Sequence, residues 1–135
     1  MDAKVIVDKM MEKDMFSRWM GVERIEERAG YSKIKMVVRE EMTNGFGILH
    51  GGVSYSFADS AFAFASNSHG RKAVSIETSM SHLFSSKVGD VLTAEAVMEH
   101  RSNRLAQYIV RLHDQEGRMV GLFKGTVYQK NEEYQ

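Results

Sequence analysis

The sequence has 135 residues, of which 43% are hydrophobic and 27% are charged. This length and balance fit one folded domain over residues 1–135 and exclude a mainly disordered chain. Eighteen basic residues match eighteen acidic ones, so the chain lacks the positive excess that neutralises nucleic-acid phosphates. It has no cysteine, no apolar run long enough to span a membrane and no signal-peptide pattern in its first twenty residues. We therefore expect a soluble, cytoplasmic protein that binds neither nucleic acid nor membrane.

Local sequence patterns predict three helices and six strands. The helices have apolar residues at helical spacing. The longest, from Gly51 to a glycine cap at Gly70, has no Lys or Arg and is apolar on most sides, which is typical of a helix enclosed by other elements. The strands are apolar runs separated by turn residues. The predicted elements are helices at about 2–13 and 15–19, strands at 22–28 and 31–38, the long helix at 51–70, and strands at 73–84, 91–101, 105–113 and 119–128.

The order of these elements predicts an α+β fold. One antiparallel sheet of about six strands, curled around the long central helix, accounts for the order because the helix then buries its apolar stripe against the concave face. One face of the sheet and any uncovered side of the helix still need a partner. The sequence therefore predicts a dimer or a dimer of dimers.

Two glycines at the start of the long helix, Gly51 and Gly52, are the first candidate site. Glycine in a helix costs about 1 kcal/mol relative to alanine, so the pair indicates a close approach to the backbone. The free N–H groups and the positive end of the helix dipole suit a carbonyl oxygen that gains negative charge. A plain turn before a helix is the alternative.

Asp59 is the second candidate. It is the only charged residue between Glu41 and Arg71, and it lies among alanines and phenylalanines. Burial of an unpaired carboxylate costs several kcal/mol or raises its pKa above the usual range. Asp59 therefore indicates either a functional carboxylate or a structural one that is hydrogen-bonded to a neighbouring serine or backbone group.

The spacing of these candidates predicts a shared site. Gly52 and Asp59 are seven residues apart, so they lie on nearly the same face of the helix, about 10 Å apart along its axis. One small carbonyl group cannot contact both within a single helix. Two antiparallel copies of the helix, side by side, set the amide end of one against the aspartate of the other.

Other polar and aromatic residues each allow two interpretations. His50 either caps the helix or contacts a substrate, and Asn44 either makes the tight turn that Asn-Gly favours or contacts a substrate. Ser75 either orients a water or faces solvent. The remaining four histidines, His82 among them, lack metal-ligand spacing and are predicted to lie on the surface or along strands. Four aromatic residues either line a pocket or belong to the core: Phe46, Tyr55, Phe57 and Phe62.

Three short motifs carry a family resemblance: Asn44-Gly45, His50-Gly51-Gly52, and the stretch 58–63, with nine residues from His50 to Asp59. Over about residues 21–128 the chain resembles the hotdog-fold acyl-CoA thioesterases of the phenylacetate-pathway (PaaI-like) family. The resemblance implies a sheet wrapped around one helix, dimers that pair into homotetramers, and no metal or organic cofactor. It also implies hydrolysis of an acyl- or aryl-acyl-CoA thioester to a free acid and coenzyme A.

The resemblance further implies roles for individual residues. The family's catalytic aspartate falls on Asp59, as general base or nucleophile, and its amide donor falls on Gly51, helped by Gly52. Its asparagine and histidine contacts near the thioester fall on Asn44 and His50. The predicted substrate-binding positions comprise Gly52, a hydroxyl at Ser75 or Thr78 that positions water, and the aromatic candidate Phe62.

The chain differs from the family in one segment, and its sequence also allows two other functions. Relatives commonly carry Leu-Arg-Pro where this chain has Leu83-Phe84-Ser85, so its local coenzyme-A contacts are expected to differ. One alternative is a non-catalytic acyl-CoA-binding or scaffold protein of the same fold. The other is an enoyl-thioester hydratase, but hydratases of this fold carry a histidine five residues after the aspartate, where this chain has Phe64.

Overall fold

The computed structural model describes residues 1–135 and contains one sheet and three α-helices. A short 3₁₀ helix lies in the loop before the long helix. No helix is both long and apolar enough to cross a membrane. The elements are α1 (Ala3–Met11), α2 (Met15–Met20), β1 (Glu23–Arg28), β2 (Tyr31–Val37), the 3₁₀ helix (Glu40–Met42), α3 (Gly51–Asn67), β3 (Arg71–His82), β4 (Val91–Arg101), β5 (Leu105–His113) and β6 (Met119–Glu133).

The sheet has the strand order β1-β2-β4-β5-β6-β3, and the paired strands are antiparallel. The chain leaves β2, passes through α3, and enters the sheet again at its far edge in β3. This long crossover places α3 against the concave face. The predicted α+β hotdog fold, with six strands around one central helix and a short N-terminal helix, is confirmed.

The core lies between α3 and the sheet. Phe57, Ala61 and Phe64 are fully buried, which agrees with the prediction of an enclosed helix. A close contact holds α3 on the sheet at Phe62, because a β-carbon on Gly125 of β6 would lie only 2.6 Å from the Cζ atom of its ring. The absence of a side chain at Gly125 therefore allows the helix to approach the sheet this closely.

The end of α3 differs from its prediction. The helix ends at Asn67, Ser68 is its C-terminal cap, and Gly70, with φ of +108°, turns the chain into β3. The Asn67 side chain fixes this end, because its Nδ2 donates to the carbonyl of Ala63 at 2.9 Å and its Oδ1 accepts from the N–H of Ala73 at 2.9 Å. The helix therefore ends at Asn67, whose side chain bonds across the turn, and not at the predicted cap Gly70.

The two edge strands of the sheet differ in chemistry. Five of the six residues of β1 are charged, and Arg24 forms an ion pair with Asp8 of α1 at 2.7 Å. On β3, Val74 and Ile76 are 44% and 58% exposed. Charged edges resist the addition of another strand, whereas long apolar edges favour it. Strand β3, with fewer charges than β1 and two exposed apolar side chains, is therefore the better suited of the two edges to strand pairing.

Candidate active site

A groove of about 330 Å³ begins at the N-terminus of α3. One wall comes from the loop before the helix and from its first turn. The other wall comes from the end of β3 and the segment that follows it. The lining residues are Asn44, Ile48, Leu49, Gly51, Ser54, His82, Leu83, Phe84, Ser85, Ser86 and Val120.

The two glycine amides at the start of α3 have different surroundings. His50 is the N-terminal cap, and its Nδ1 accepts the N–H of Gly52 at 2.8 Å. The N–H of Gly51 has no acceptor within the chain. Gly51 lines the groove, so it offers a free donor at the positive end of the helix dipole. Of the two alternatives for His50, the structure has the helix cap. The N–H of Gly52, a predicted donor to the substrate, is already bonded to His50.

Asn44 both makes the turn and lines the groove. Its Oδ1 accepts from the N–H of Phe46 at 2.9 Å and from that of Ile48 at 3.4 Å, which closes the loop ahead of α3. Its Nδ2 donates to no group of the chain. The side chain therefore holds the loop with one end and leaves an amide donor for a ligand at the other.

His82 lies at the same groove, which sequence reasoning did not predict. Its ring faces Gly51 so closely that a β-carbon there would lie 3.2 Å from Cε1. Its Nδ1 is 3.3 Å from Oγ of Ser54, in the first turn of the helix. The alternation of β3 carries a signal for this position. Thr78 and Met80 are in register with Gly125 and Phe123, on the helix side of the sheet, and His82 continues the same face.

Asp59 lies half-buried on a side of α3 that the sheet does not cover. It forms no hydrogen bond or ion pair in the chain. Its neighbour Ser60 instead bonds Ser17 of α2 at 2.8 Å, so the structural alternative of a serine partner is not realised. Burial raises the pKa of the Asp59 carboxyl above its ordinary value, and the negative charge of Asp14 raises it further. An unpaired carboxylate in such surroundings is a good proton acceptor.

Within one chain, the structure does not bring all the predicted site residues together. Asn44 and Gly51 share the groove, whereas Asp59 lies about two helical turns away along α3. Thr78 bonds the hydroxyl of Tyr55 through its Oγ1. Ser75 is exposed on the edge strand and lies in register with Val127.

Phe62 occupies a position that does not suit its predicted contact with the substrate. Its side chain is 1% exposed, and its ring packs against Tyr108 and Phe123 with centroid distances of 5.8 and 5.4 Å. The prediction is at odds with this burial, because helical periodicity cannot tell which apolar side of an enclosed helix faces the sheet. Of the other aromatic candidates, Phe57 is fully buried and Phe46 is 90% exposed.

The outer end of the groove carries one cation. The guanidinium of Arg118 lies 4.4 Å from the centre of the Phe84 ring, and its Nε donates to the buried carboxylate of Asp114 at 2.9 Å. A positive charge thus stands beside Phe84, in the segment where the coenzyme-A contacts are expected to differ. No three His, Asp or Glu side chains gather closely enough to hold a metal ion.

Comparison with known sequences gives one family and several relatives. The model of the thioesterase superfamily matches residues 46–120. A protein of Archaeoglobus fulgidus that carries the name of an esterase is 36% identical over 129 residues. The match covers 96% of this chain and 84% of that protein. The acyl-coenzyme A thioesterase PaaI of Escherichia coli K12 is 34% identical over 116 residues, covering 86% and 83% of the two chains.

Solved structures show the same architecture. The PaaI protein from the phenylacetic acid degradation operon of Escherichia coli superposes with a TM-score of 0.95 at 31% identity, over 97% of this chain and 95% of that one. A hypothetical thioesterase of Streptococcus pneumoniae TIGR4, solved with coenzyme A, superposes with a TM-score of 0.81 at 25% identity, over 84% and 88%.

Proposed function

Because the chain belongs to the thioesterase superfamily, we propose that it hydrolyses an acyl-CoA thioester to a free acid and coenzyme A. The observation that carries this proposal is the unpartnered N–H of Gly51 at the mouth of an open groove. Such an amide is suited to a carbonyl oxygen that becomes negatively charged during attack. Coenzyme A bound to the pneumococcal thioesterase and the name of the Escherichia coli relative support this substrate class.

The first part of the mechanism is polarisation of the thioester carbonyl. The Gly51 N–H donates to the carbonyl oxygen, and the α3 dipole adds positive potential at the same point. The free Nδ2 of Asn44 is available as a second donor. Removal of one such donor in other hydrolases reduces the rate by about 10²–10³-fold. Gly51 is therefore as important to the proposed reaction as the acid.

The second part is activation of the nucleophile by Asp59. As a general base, its carboxylate takes a proton from water, and the hydroxide forms a bond to the carbonyl carbon. The carbon–sulfur bond then breaks, and the thiolate takes up a proton from solvent. As a nucleophile, Asp59 attacks the carbon itself, and the carbon–sulfur bond breaks with release of the thiolate, which takes up a proton from solvent. Water then attacks the Asp59 carbonyl carbon of the resulting anhydride. A single turnover in H₂¹⁸O distinguishes the two routes, because direct water attack places the label in the first molecule of acid, whereas the anhydride route places it in the Asp59 carboxylate.

We propose that two chains associate through β3 to complete the site. Two copies of this edge, paired antiparallel about a two-fold axis, continue the sheet from one subunit into the other. The two copies of α3 then lie side by side and antiparallel, which covers the face that carries Asp59. Dimers of this kind are proposed to pair further into a homotetramer.

The proposed site is composite. Asn44, His50 and Gly51 come from one subunit, and Asp59 comes from its partner. This arrangement removes the separation of about 10 Å that exists within one helix. Ser75 lies on the edge strand β3, and we propose its hydroxyl as the group that holds the attacking water, with Thr78 as the second candidate for that role.

The test of this function is a screen of acyl-CoA thioesters. Phenylacetyl-CoA and medium- and long-chain acyl-CoAs are incubated with the protein, and the released thiol is detected with a thiol reagent. We expect turnover of at least one acyl class and loss of most of kcat in Asp59→Asn, with coenzyme A still bound. A protein that binds acyl-CoAs but releases no thiol would be the non-catalytic binder. A cytoplasmic location stays a prediction, which fractionation of the source cells tests.

A further inference from the structure

His82 places a second imidazole, besides that of the helix cap His50, near the free amide of Gly51, and the mechanism above does not use it. Its ring lies against the Gly51 backbone, and it lines the same groove as Asn44. His82 lies 31 positions after Gly51 in the chain, at the last residue of β3. The fold therefore brings a titratable group to the point where the proposed carbonyl oxygen lies.

Ser54 contacts the ring of His82. Its Oγ is 3.3 Å from Nδ1 of His82 and 3.1 Å from the carbonyl oxygen of Gly51. The single hydroxyl proton serves one of these acceptors at a time. When it goes to Nδ1, the neutral ring carries its own proton on Nε2. Nε2 has no partner in the chain, so in this tautomer it is a free donor.

We propose that His82 is a further catalytic residue of the thioester site. Its Nε2–H donates a hydrogen bond to the carbonyl oxygen that the Gly51 amide also holds, and Ser54 is the positioning residue that fixes the tautomer. This inference rests on the proposed thioesterase function and deepens it. The oxygen gains negative charge when the tetrahedral intermediate forms, so a further donor beside Gly51 and Asn44 stabilises the transition state more than the bound substrate.

Under this proposal, the absence of a side chain at residue 51 has a second role besides leaving the amide accessible, because it makes room for the ring of His82. A β-carbon at residue 51 would press on the imidazole, at 3.2 Å from Cε1 and 3.5 Å from Nε2. The ring would have to move by a few tenths of an ångström to make room for it. The missing side chain therefore lets two donors, one from the helix and one from the strand, approach a single oxygen.

The test compares four single variants with the wild type. His82→Phe keeps an aromatic ring against Gly51 and removes both nitrogens, whereas His82→Gln keeps a donor near the position of Nε2. Ser54→Ala removes the positioning group. The matched control is His100→Phe, on the exposed end of β4, where the histidine has no hydrogen bond within the chain. Thermal unfolding of each variant verifies that it folds.

We expect kcat to fall about 10–100-fold in His82→Phe, with KM within about 3-fold of the wild-type value. His82→Gln should recover most of kcat, Ser54→Ala should lose a smaller factor than His82→Phe, and His100→Phe should match the wild type. A spectroscopic readout comes from an acyl-CoA with a ¹³C-labelled carbonyl bound to Asp59→Asn. Its infrared carbonyl band should shift to lower frequency, and the shift should shrink when His82→Phe is added.

A folded His82→Phe that keeps the wild-type kcat overturns the inference and leaves the thioesterase function intact. Equal losses of kcat in His82→Phe and His82→Gln also overturn it, as does a carbonyl band whose frequency is the same with and without His82→Phe. Either result would mean that the ring only packs against Gly51. A wild-type protein that releases no thiol from any acyl-CoA overturns the proposed function itself and removes the premise of the inference. These two failures are therefore distinguishable.

Discussion

Two inactive variants should restore each other's activity when their subunits mix, because the proposed site takes its amide from one chain and its acid from the other. Asp59→Asn removes the proton acceptor. Gly51→Val blocks the amide end, since its β-carbon would already lie 3.2 Å from His82 and its two methyl groups would enter the groove. Each homodimer then carries two damaged sites.

The expected recovery follows from geometry and from random pairing. Gly52 and Asp59 are about 10 Å apart along one helix, whereas each proposed contact to the reacting group spans about 3 Å. Equal amounts of the two variants form heterodimers in half of the dimers. Each heterodimer has one site with both lesions and one site with neither. Thiol release should therefore return to about a quarter of the wild-type activity.

The assay needs confirmed exchange of subunits. The variants carry different affinity tags and are mixed under exchange conditions. Thiol release is measured on the mixture itself, and capture of a portion through both tags confirms that heterodimers have formed. The matched control places both substitutions in one chain and mixes it with wild type. A composite site predicts about a quarter of full activity for this control, whereas a site within one chain predicts about a half. Doubly tagged heterodimers of the two single variants that remain inactive would refute the composite site.

Three further outcomes follow from the structure. Asp14→Asn removes a negative charge that raises the pKa of Asp59, so the ionised, active form should persist to lower pH and the acid limb of the kcat/KM profile should move down in pH. Gly125→Ala places a carbon 2.6 Å from a buried phenylalanine ring and should lower the free energy of unfolding by about 1–3 kcal/mol in urea titrations. Ile76→Lys, on the apolar edge, should give monomers by light scattering and abolish activity. The matched variant Ile25→Lys, on the charged edge β1, should leave the mass unchanged.

Much of the fold was predictable because its local patterns agree with its global arrangement. The alternation in β4 and β5 predicted their bounds, and the absence of Lys and Arg from α3 predicted its enclosed position. The errors arose where long-range contacts decide. Strand β6 continues to Glu133, five residues beyond its prediction, because β3 pairs with it as far as Arg71. Asn67 ends α3 through bonds to the following strand, which no helical pattern reveals.

The candidate site was predictable only where its parts are close in sequence. Asn44, His50 and Gly51 share one loop and helix start, and the structure places all three at or beside the groove. His82 lies on a strand, as predicted, but its contact with Gly51 was not predictable, because the residues next to it in the sequence do not indicate which part of α3 it faces. Its place at the groove depends on the register between β3 and β6. The roles of these residues remain predictions until variants are assayed.

The features that leave a single subunit incomplete are also those that the proposed reaction needs. Asp59 is half-buried without a hydrogen bond, which destabilises its charged form in an isolated chain. Strand β3 exposes Ile76 and an unpaired backbone edge. In the dimer that we propose, one association event through β3 covers the edge, encloses the carboxylate and brings it to the partner's Gly51. A monomeric variant should therefore be inactive even though each chain keeps its groove. In a monomer, the Gly51 amide can still bind the carbonyl oxygen, but no Asp59 lies close enough to activate the water that attacks the same carbonyl group.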